Sequence, residues 1–224
     1  NFTATSSTTL DKLTINSIAN LSGLTIGGSG NTGAVTITNA ISVAGPINIY
    51  SGTLTLTSGL TTTNATTGDI NLTVSTVSGA NITLADNRTL TITQSATGTY
   101  GGVISGTGAT LVKAGAGKLT LSGTNLYTGI TTISGGILSI ATNANLGAAP
   151  ASLTANAITL NGGSLEANTS LTLDTNRGIT MMADSGLAAT STNVLTYGGV
   201  ITGTYRLTIN GGSQTGTVVL SGTN

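Results

Sequence analysis

Short runs in which an aliphatic residue alternates with a small polar one recur along the whole chain. Leu13-Thr14-Ile15, Leu24-Thr25-Ile26, Val35-Thr36-Ile37-Thr38 and Ile47-Asn48-Ile49-Tyr50 come first. Leu54–Thr57, Ile70–Val74, Ile82–Leu84 and Leu90–Thr93 follow. Period-two alternation places Leu, Ile and Val on one face of a strand and Thr on the other. Between these runs lie Gly27–Asn31, Ser51-Gly52, Ser58-Gly59, Ser78-Gly79 and Ala85–Arg88, all of turn composition. Beyond Tyr100, strands are predicted at Val103-Ile104, Leu111-Val112, Leu119–Leu121, Ile130–Ile133 and Ile137–Ile140. Asn143–Ser152 reads as a loop, because Pro150 has no N–H to give to a ladder. Strands resume at Ile158–Leu160, Ser164-Leu165, Leu171–Leu173 and Ile179–Met182. The polar stretch Asn1–Thr9 predicts a loose entry segment. No stretch keeps a 3.6-residue apolar period, so helix content is predicted to be near zero.

A larger repeat overlies these runs. Thr99–Asn125 returns as Thr196–Asn224, with Tyr-Gly-Gly-Val-Ile at the start and Leu-Ser-Gly-Thr-Asn at the end of both copies. The offset is 97 residues between Tyr100 and Tyr197 and 99 between Asn125 and Asn224, so the second copy holds two extra residues. Strand signals come every 8–13 residues, and a pair of them makes a coil of about 20 residues, the scale of a solenoid repeat. A β-sandwich of this length normally has an aromatic core, whereas here there is one Phe and no Trp. The predicted fold is therefore all-β: a right-handed parallel β-helix (β-solenoid) of roughly eleven coils. Residues 1–224 form a single continuous segment in this scheme, with Leu, Ile, Val and Ala inside and Gly and Asn at the corners. At the ~4.8 Å spacing of strands, eleven coils make a rod on the order of 50 Å long.

Composition narrows the function classes. Six basic residues balance six acidic ones, and charged residues are only 5% of the chain. That leaves no electrostatic footprint for nucleic acid or for an anionic membrane. With no Cys and no His, disulfides and the common zinc sites are excluded. No apolar run approaches the ~20 residues of a membrane helix. The sequence lacks an initiating Met and a signal peptide, and is expected to be a mature segment of a longer chain.

One stretch carries a specific spacing: Gly106, Gly108, Leu111, Lys113, Gly115, Gly117, Leu119, Leu121, Gly123, Asn125, Tyr127 and Gly129, continued by Thr131, Thr132, Ile133, Gly136 and Leu138. This pattern resembles the passenger-associated transport repeat of bacterial autotransporters, with one extra residue between Gly108 and Leu111. The second copy lacks the Lys and the regular glycines between Arg206 and Gly216. Gly23–Gly28 and Ala44–Tyr50 are similar to repeats of filamentous-haemagglutinin-like surface proteins. The resemblance implies a right-handed parallel β-helix in a large secreted or cell-surface bacterial protein, exported by a type V-like route. It implies a fibre or adhesin without enzymatic activity or cofactor. The partners it implies are adjoining repeats of the same chain or end-to-end stacked copies, with host or cell-surface glycans as ligands. Neither nucleic acid nor membrane insertion of this segment belongs to that picture.

The rival reading is a carbohydrate-active β-helix enzyme. Carbohydrate-active β-helix enzymes need clustered carboxylates, for which Glu166, Asp174, Arg177, Asp184 and Arg206 are the candidates. Asp86 and Arg88 in Ala-Asp-Asn-Arg parallel Asp174 and Arg177 in Asp-Thr-Asn-Arg. A feature that recurs in this way reads as a corner ion pair. Lys113 and Lys118 flank Ala-Gly-Ala-Gly, but a strand rather than a helix follows, so a solvated turn is favoured over a phosphate loop. Gly27–Gly33 lacks the Asp of a calcium-binding nonapeptide. Tyr50, Tyr100, Tyr127, Tyr197 and Tyr205 suit packing at coil edges better than a sugar-stacking strip. The Thr-x-Thr rows are too irregularly spaced for an ice-binding face, and suit a solvent-facing ladder. The sequons at Asn64 and Asn81 are expected by chance in an Asn/Thr-rich chain.

Overall fold

The structure is a computed structural model that describes residues 21–212 and 214–223. The predicted Leu13–Ile15 strand and the Asn1–Thr9 entry segment lie outside the described residues. Every strand pairing among the described residues is parallel. The main sheet runs through nine strands in chain order, one per turn: Leu24–Ile26, Ile47–Leu56, Ile70–Gly79, Thr89–Gln94, Thr110–Ala114, Thr131–Ile133, Thr154–Leu160, Arg177–Met181 and Ile201–Thr202. Three further sheets of four, six and three strands form the other sides. The chain is a parallel β-solenoid.

It makes about nine turns, not eleven. Register partners are 19 residues apart at Val35/Leu54 but 27 apart at Thr131/Ile158, so most turns are longer than the 20 residues assumed. The longest turn carries the predicted loop, which contains a single 3-10 turn at Asn143–Leu146. There is no α-helix among the described residues. Nine rungs at the usual strand spacing give a rod of about 40 Å.

Stacked columns of identical parity build the core. One runs Leu24, Ile47, Ile70, Leu90, Leu111, Thr131, Ile158, Ile179, Ile201. A second runs Ile26, Ile49, Leu72, Ile92, Lys113, Ile133, Leu160, Met181. The aliphatic members from Leu24 to Met181 are buried, and each such side chain contributes roughly 1.5–3 kcal/mol by leaving water. The core is not purely aliphatic, however. Lys113, Gln94, Asn125, Glu166 and Arg177 are also buried, as are three tyrosines, Tyr100, Tyr127 and Tyr197.

Candidate functional site

The two ends of the sequence repeat touch each other. Leu121, in the strand Lys118–Leu121, is in register with Tyr100, in the strand Gly98–Tyr100, one turn below. Ser122 donates its N–H to the Tyr100 carbonyl at 3.0 Å, and a Cβ on Gly123 would lie 2.4 Å from the Gly102 oxygen. Asn125 closes the contact by accepting the Ile104 N–H at 2.8 Å. The second copy repeats the arrangement. Leu220 is in register with Tyr197, Ser221 donates to the Tyr197 carbonyl at 3.0 Å, and Gly222 approaches the Gly199 oxygen.

The tyrosine explains the Tyr-Gly-Gly signature. Tyr100 donates its hydroxyl to the Ala80 carbonyl, and Tyr197 donates to the Arg177 carbonyl at 2.8 Å, in each case 20 residues earlier. The ring folds back over the second glycine of its own motif. A Cβ there would lie 2.6 Å from the hydroxyl at Gly102 and 2.5 Å at Gly199. Burial raises the Tyr100 phenol well above its ordinary value and pushes Tyr197 up to about 12. These rings are core groups, so neither is available to stack on a sugar; Tyr205 is the exposed one.

Lys113 is not in a solvated turn. The strand Thr110–Ala114 continues past Val112, so Lys113 keeps the inward parity of Leu111 and enters an aliphatic column between Ile92 and Ile133. Its Nζ donates to the carbonyls of Ala114 at 2.8 Å, Gly115 at 2.9 Å and Gly135 at 3.2 Å. Three donors meet three acceptors, and the corners of two successive turns are tied to one cation. Gly115 has φ +78°, and a Cβ there would come within 2.4 Å of the Gln94 carbonyl. This left-handed glycine, at the strand's end, lets two consecutive carbonyls reach the amine. Burial pushes the Lys113 ammonium down to about 8.

The next corner is built from amides. Asn125 donates to the Asn145 carbonyl at 2.6 Å, and Asn145 donates to the Gly123 carbonyl at 2.9 Å. Tyr127 shares a 2.7 Å hydrogen bond with Thr131, which explains how Thr131 sits in an apolar column. Burial, partly offset by that bond and by Arg177, pushes Tyr127 up to about 12.

The charged candidates fall into separate places. Arg88 lies 3.9 Å from Asp69 in the preceding turn, so its ion pair crosses turns instead of closing on Asp86. Arg177 makes no corner ion pair either. It is buried, and donates to the carbonyls of Leu146 at 3.0 Å and Gly147 at 2.6 Å and to Asn143 Oδ1 at 3.1 Å, pinning the inserted 3-10 turn. Asp174 accepts the Asn176 N–H in a tight turn at 2.8 Å.

Glu166 and Asp184 line one lateral cleft of about 250 Å³, together with Arg206 and Gln214. Both carboxylates are engaged. Asp184 takes the Arg206 N–H at 2.9 Å and its guanidinium at 3.5 Å. Glu166 is in contact with Lys118 and accepts from Ser139 at 2.7 Å and from Gln214 at 2.7 Å. No group of three or more His, Cys, Asp or Glu side chains suited to a metal occurs among the described residues.

Residues 111–140 match the family model described as the passenger-associated-transport-repeat. The chain carries a passenger-associated transport repeat. Within the matched repeat, Leu111, Leu119, Leu121 and Leu138 are core residues, while Lys113, Asn125 and Tyr127 supply its buried polar contacts. Gly117, Gly123 and Gly129 stand where a Cβ would meet a carbonyl of the turn below at 2.3–2.4 Å. Gly106 and Gly108 precede the matched repeat, and the second copy of the longer motif lies beyond it. No curated protein and no solved structure matches the chain.

Proposed function

We propose that this chain is a structural rod segment of a secreted bacterial cell-surface fibre or adhesin, exported by a type V-like route as an autotransporter passenger. The observation that carries the proposal is the passenger-associated transport repeat embedded in one unbroken parallel ladder. The distinctive residues of that repeat are spent on turn-to-turn contacts. A side chain that ties corners together or fills a column is not free to act on a substrate. The partners proposed for it are adjoining repeats of the same chain or further copies stacked end to end.

Electron microscopy of the native surface material, with averaging along any fibres, tests the proposal. Continuous rods with an axial repeat of ~4.8 Å are expected. Discrete compact particles bearing this chain would overturn it.

A further inference from the structure

Three groups converge on the outer face of the six-stranded sheet. Glu166 lies in the strand Ser164–Ala167, where Leu165 and Ala167 face the core and Glu166 faces outward in register with Ser139 and Ala188. It is nevertheless fully buried. Lys118, two rungs away, touches Oε1, which also accepts from Ser139 at 2.7 Å. Gln214 reaches over from the end of the chain and donates Nε2 to the other oxygen at 2.7 Å. One water-excluded carboxylate therefore holds a primary amine on one side and a primary carboxamide on the other.

We propose that Lys118 and Gln214 are the two halves of an intramolecular isopeptide cross-link whose formation Glu166 promotes. The ammonium of Lys118 gives a proton to Glu166, and the freed amine attacks Gln214 Cδ. A new C–N bond forms, and the bond from Cδ to the carboxamide nitrogen breaks. Of the three ammonium protons one stays on the new amide. The other two leave with the carboxamide nitrogen, which departs as ammonium while Glu166 is restored as a carboxylate. No oxidant, metal or enzyme enters the balance. The carboxylate abuts both the attacking and the departing nitrogen, as a group acting first as base and then as acid must. Holding both reactants on one fixed anchor lowers the entropic barrier to their meeting, and the lateral cleft, which Glu166 and Gln214 both line, gives the product a way out. The resulting bond would staple the strand Lys118–Leu121 to the segment beyond Asn210, closing a covalent ring across several turns. The chain has no cysteine with which to do this. This inference stands apart from the proposed surface role, since it rests on side-chain geometry alone.

Intact-mass measurement of the purified 224-residue chain under denaturing conditions is the test, followed by tryptic mapping. The expected mass is lower than the sequence mass by one ammonia. The loss should map to residues 114–177, uncut at Lys118, joined to residues 207–224. Lys118→Arg keeps the charge pairing with Glu166 but cannot be acylated, and Gln214→Ala removes the acyl donor. Both variants should show the full sequence mass. Glu166→Gln should slow or abolish the loss. An unreduced wild-type mass would overturn the proposal. So would loss of ammonia on a linear peptide at Asn161-Gly162 or Asn210-Gly211, which is succinimide formation. A loss of one water joining Lys118 to Glu166 would overturn the assignment of Gln214.

Discussion

Replacing Lys113 by Met tests whether the passenger repeat's lysine is a buried cation held by backbone carbonyls. The side chain is fully buried, and burial moves its ionisation from the ordinary 10.5 to about 8. At roughly 1.4 kcal/mol per tenfold change, that displacement amounts to about 3 kcal/mol against the charged form. The three carbonyl bonds hold the ammonium and pull the other way, so about 1–3 kcal/mol is the working range. The sign follows from proton counting. Between pH 8 and 10.5 the unfolded chain binds more protons at this site than the folded one, so stability rises with pH across that window. Below pH 8 the full penalty is present. In Lys113→Met the titration is gone, but the carbonyls of Ala114, Gly115 and Gly135 lose their donor. Orphaned acceptors cost about 1–3 kcal/mol each, so after relief of the charge penalty the variant should be weaker at pH 7 by about 3 kcal/mol. Urea unfolding of both proteins from pH 7 to 10.5 measures the difference. The wild-type advantage should widen by about 1–3 kcal/mol above pH 8. Parallel curves, or an advantage that shrinks with rising pH, would refute a buried, partly discharged lysine.

Two further comparisons probe the turn-to-turn contacts. Gly123→Ala places a Cβ 2.4 Å from the Gly102 carbonyl, while Gly28→Ala meets nothing within 4 Å. Thermal unfolding should show a loss above about 2 kcal/mol for the first and a change within about 0.5 kcal/mol for the second. Leu121→Ala empties a fully buried position, whereas Leu126 in the same repeat is 59% exposed. Denaturant titration should give a loss of about 2–5 kcal/mol for Leu121→Ala and less than about 1 kcal/mol for Leu126→Ala; equal losses would mean that Leu121 is not part of the packed core.

Period-two alternation located most strands of the main sheet because it is a property of single strands, visible in a few consecutive residues. It also contained the answer for Lys113, two residues from Leu111 and so on the same face; the flanking glycines suggested a turn and hid it. Ser51-Gly52 misled in the same way. Both residues lie inside the strand Ile47–Leu56, and Gly52 is needed because a Cβ would come 2.2 Å from the Thr32 carbonyl of a neighbouring turn. A glycine can thus mark close approach between turns as well as a bend, and sequence alone does not separate the two. Ser185–Ala189 carries no strand signal for the opposite reason. All five residues are buried, so no polar alternation remains to be seen. The environment of Glu166 was out of reach altogether, since its partners lie 48 residues before and after it in Lys118 and Gln214.

The 97-residue offset between the two long motifs is not a whole number of turns, and the structure shows its consequence. Tyr100 lies in the six-stranded sheet, whereas Tyr197 lies in the three-stranded one. The middle segments follow suit: Thr110–Ala114 belongs to the main sheet, but Leu207–Ile209 pairs with Ser185–Ala189 in the six-stranded sheet. Yet the Tyr-to-Leu register, the serine N–H to tyrosine carbonyl bond and the glycine-on-glycine approach are the same in both copies. What recurs is therefore a contact between two successive rungs, not a position around the rod. The intervening residues can vary in number and sheet membership because they only have to return the chain, one turn later, to the tyrosine on which the closing Leu-Ser-Gly rests. A solenoid assembled from such rung pairs needs no fixed period, which accounts for turns that range from 19 to 27 residues within one continuous ladder.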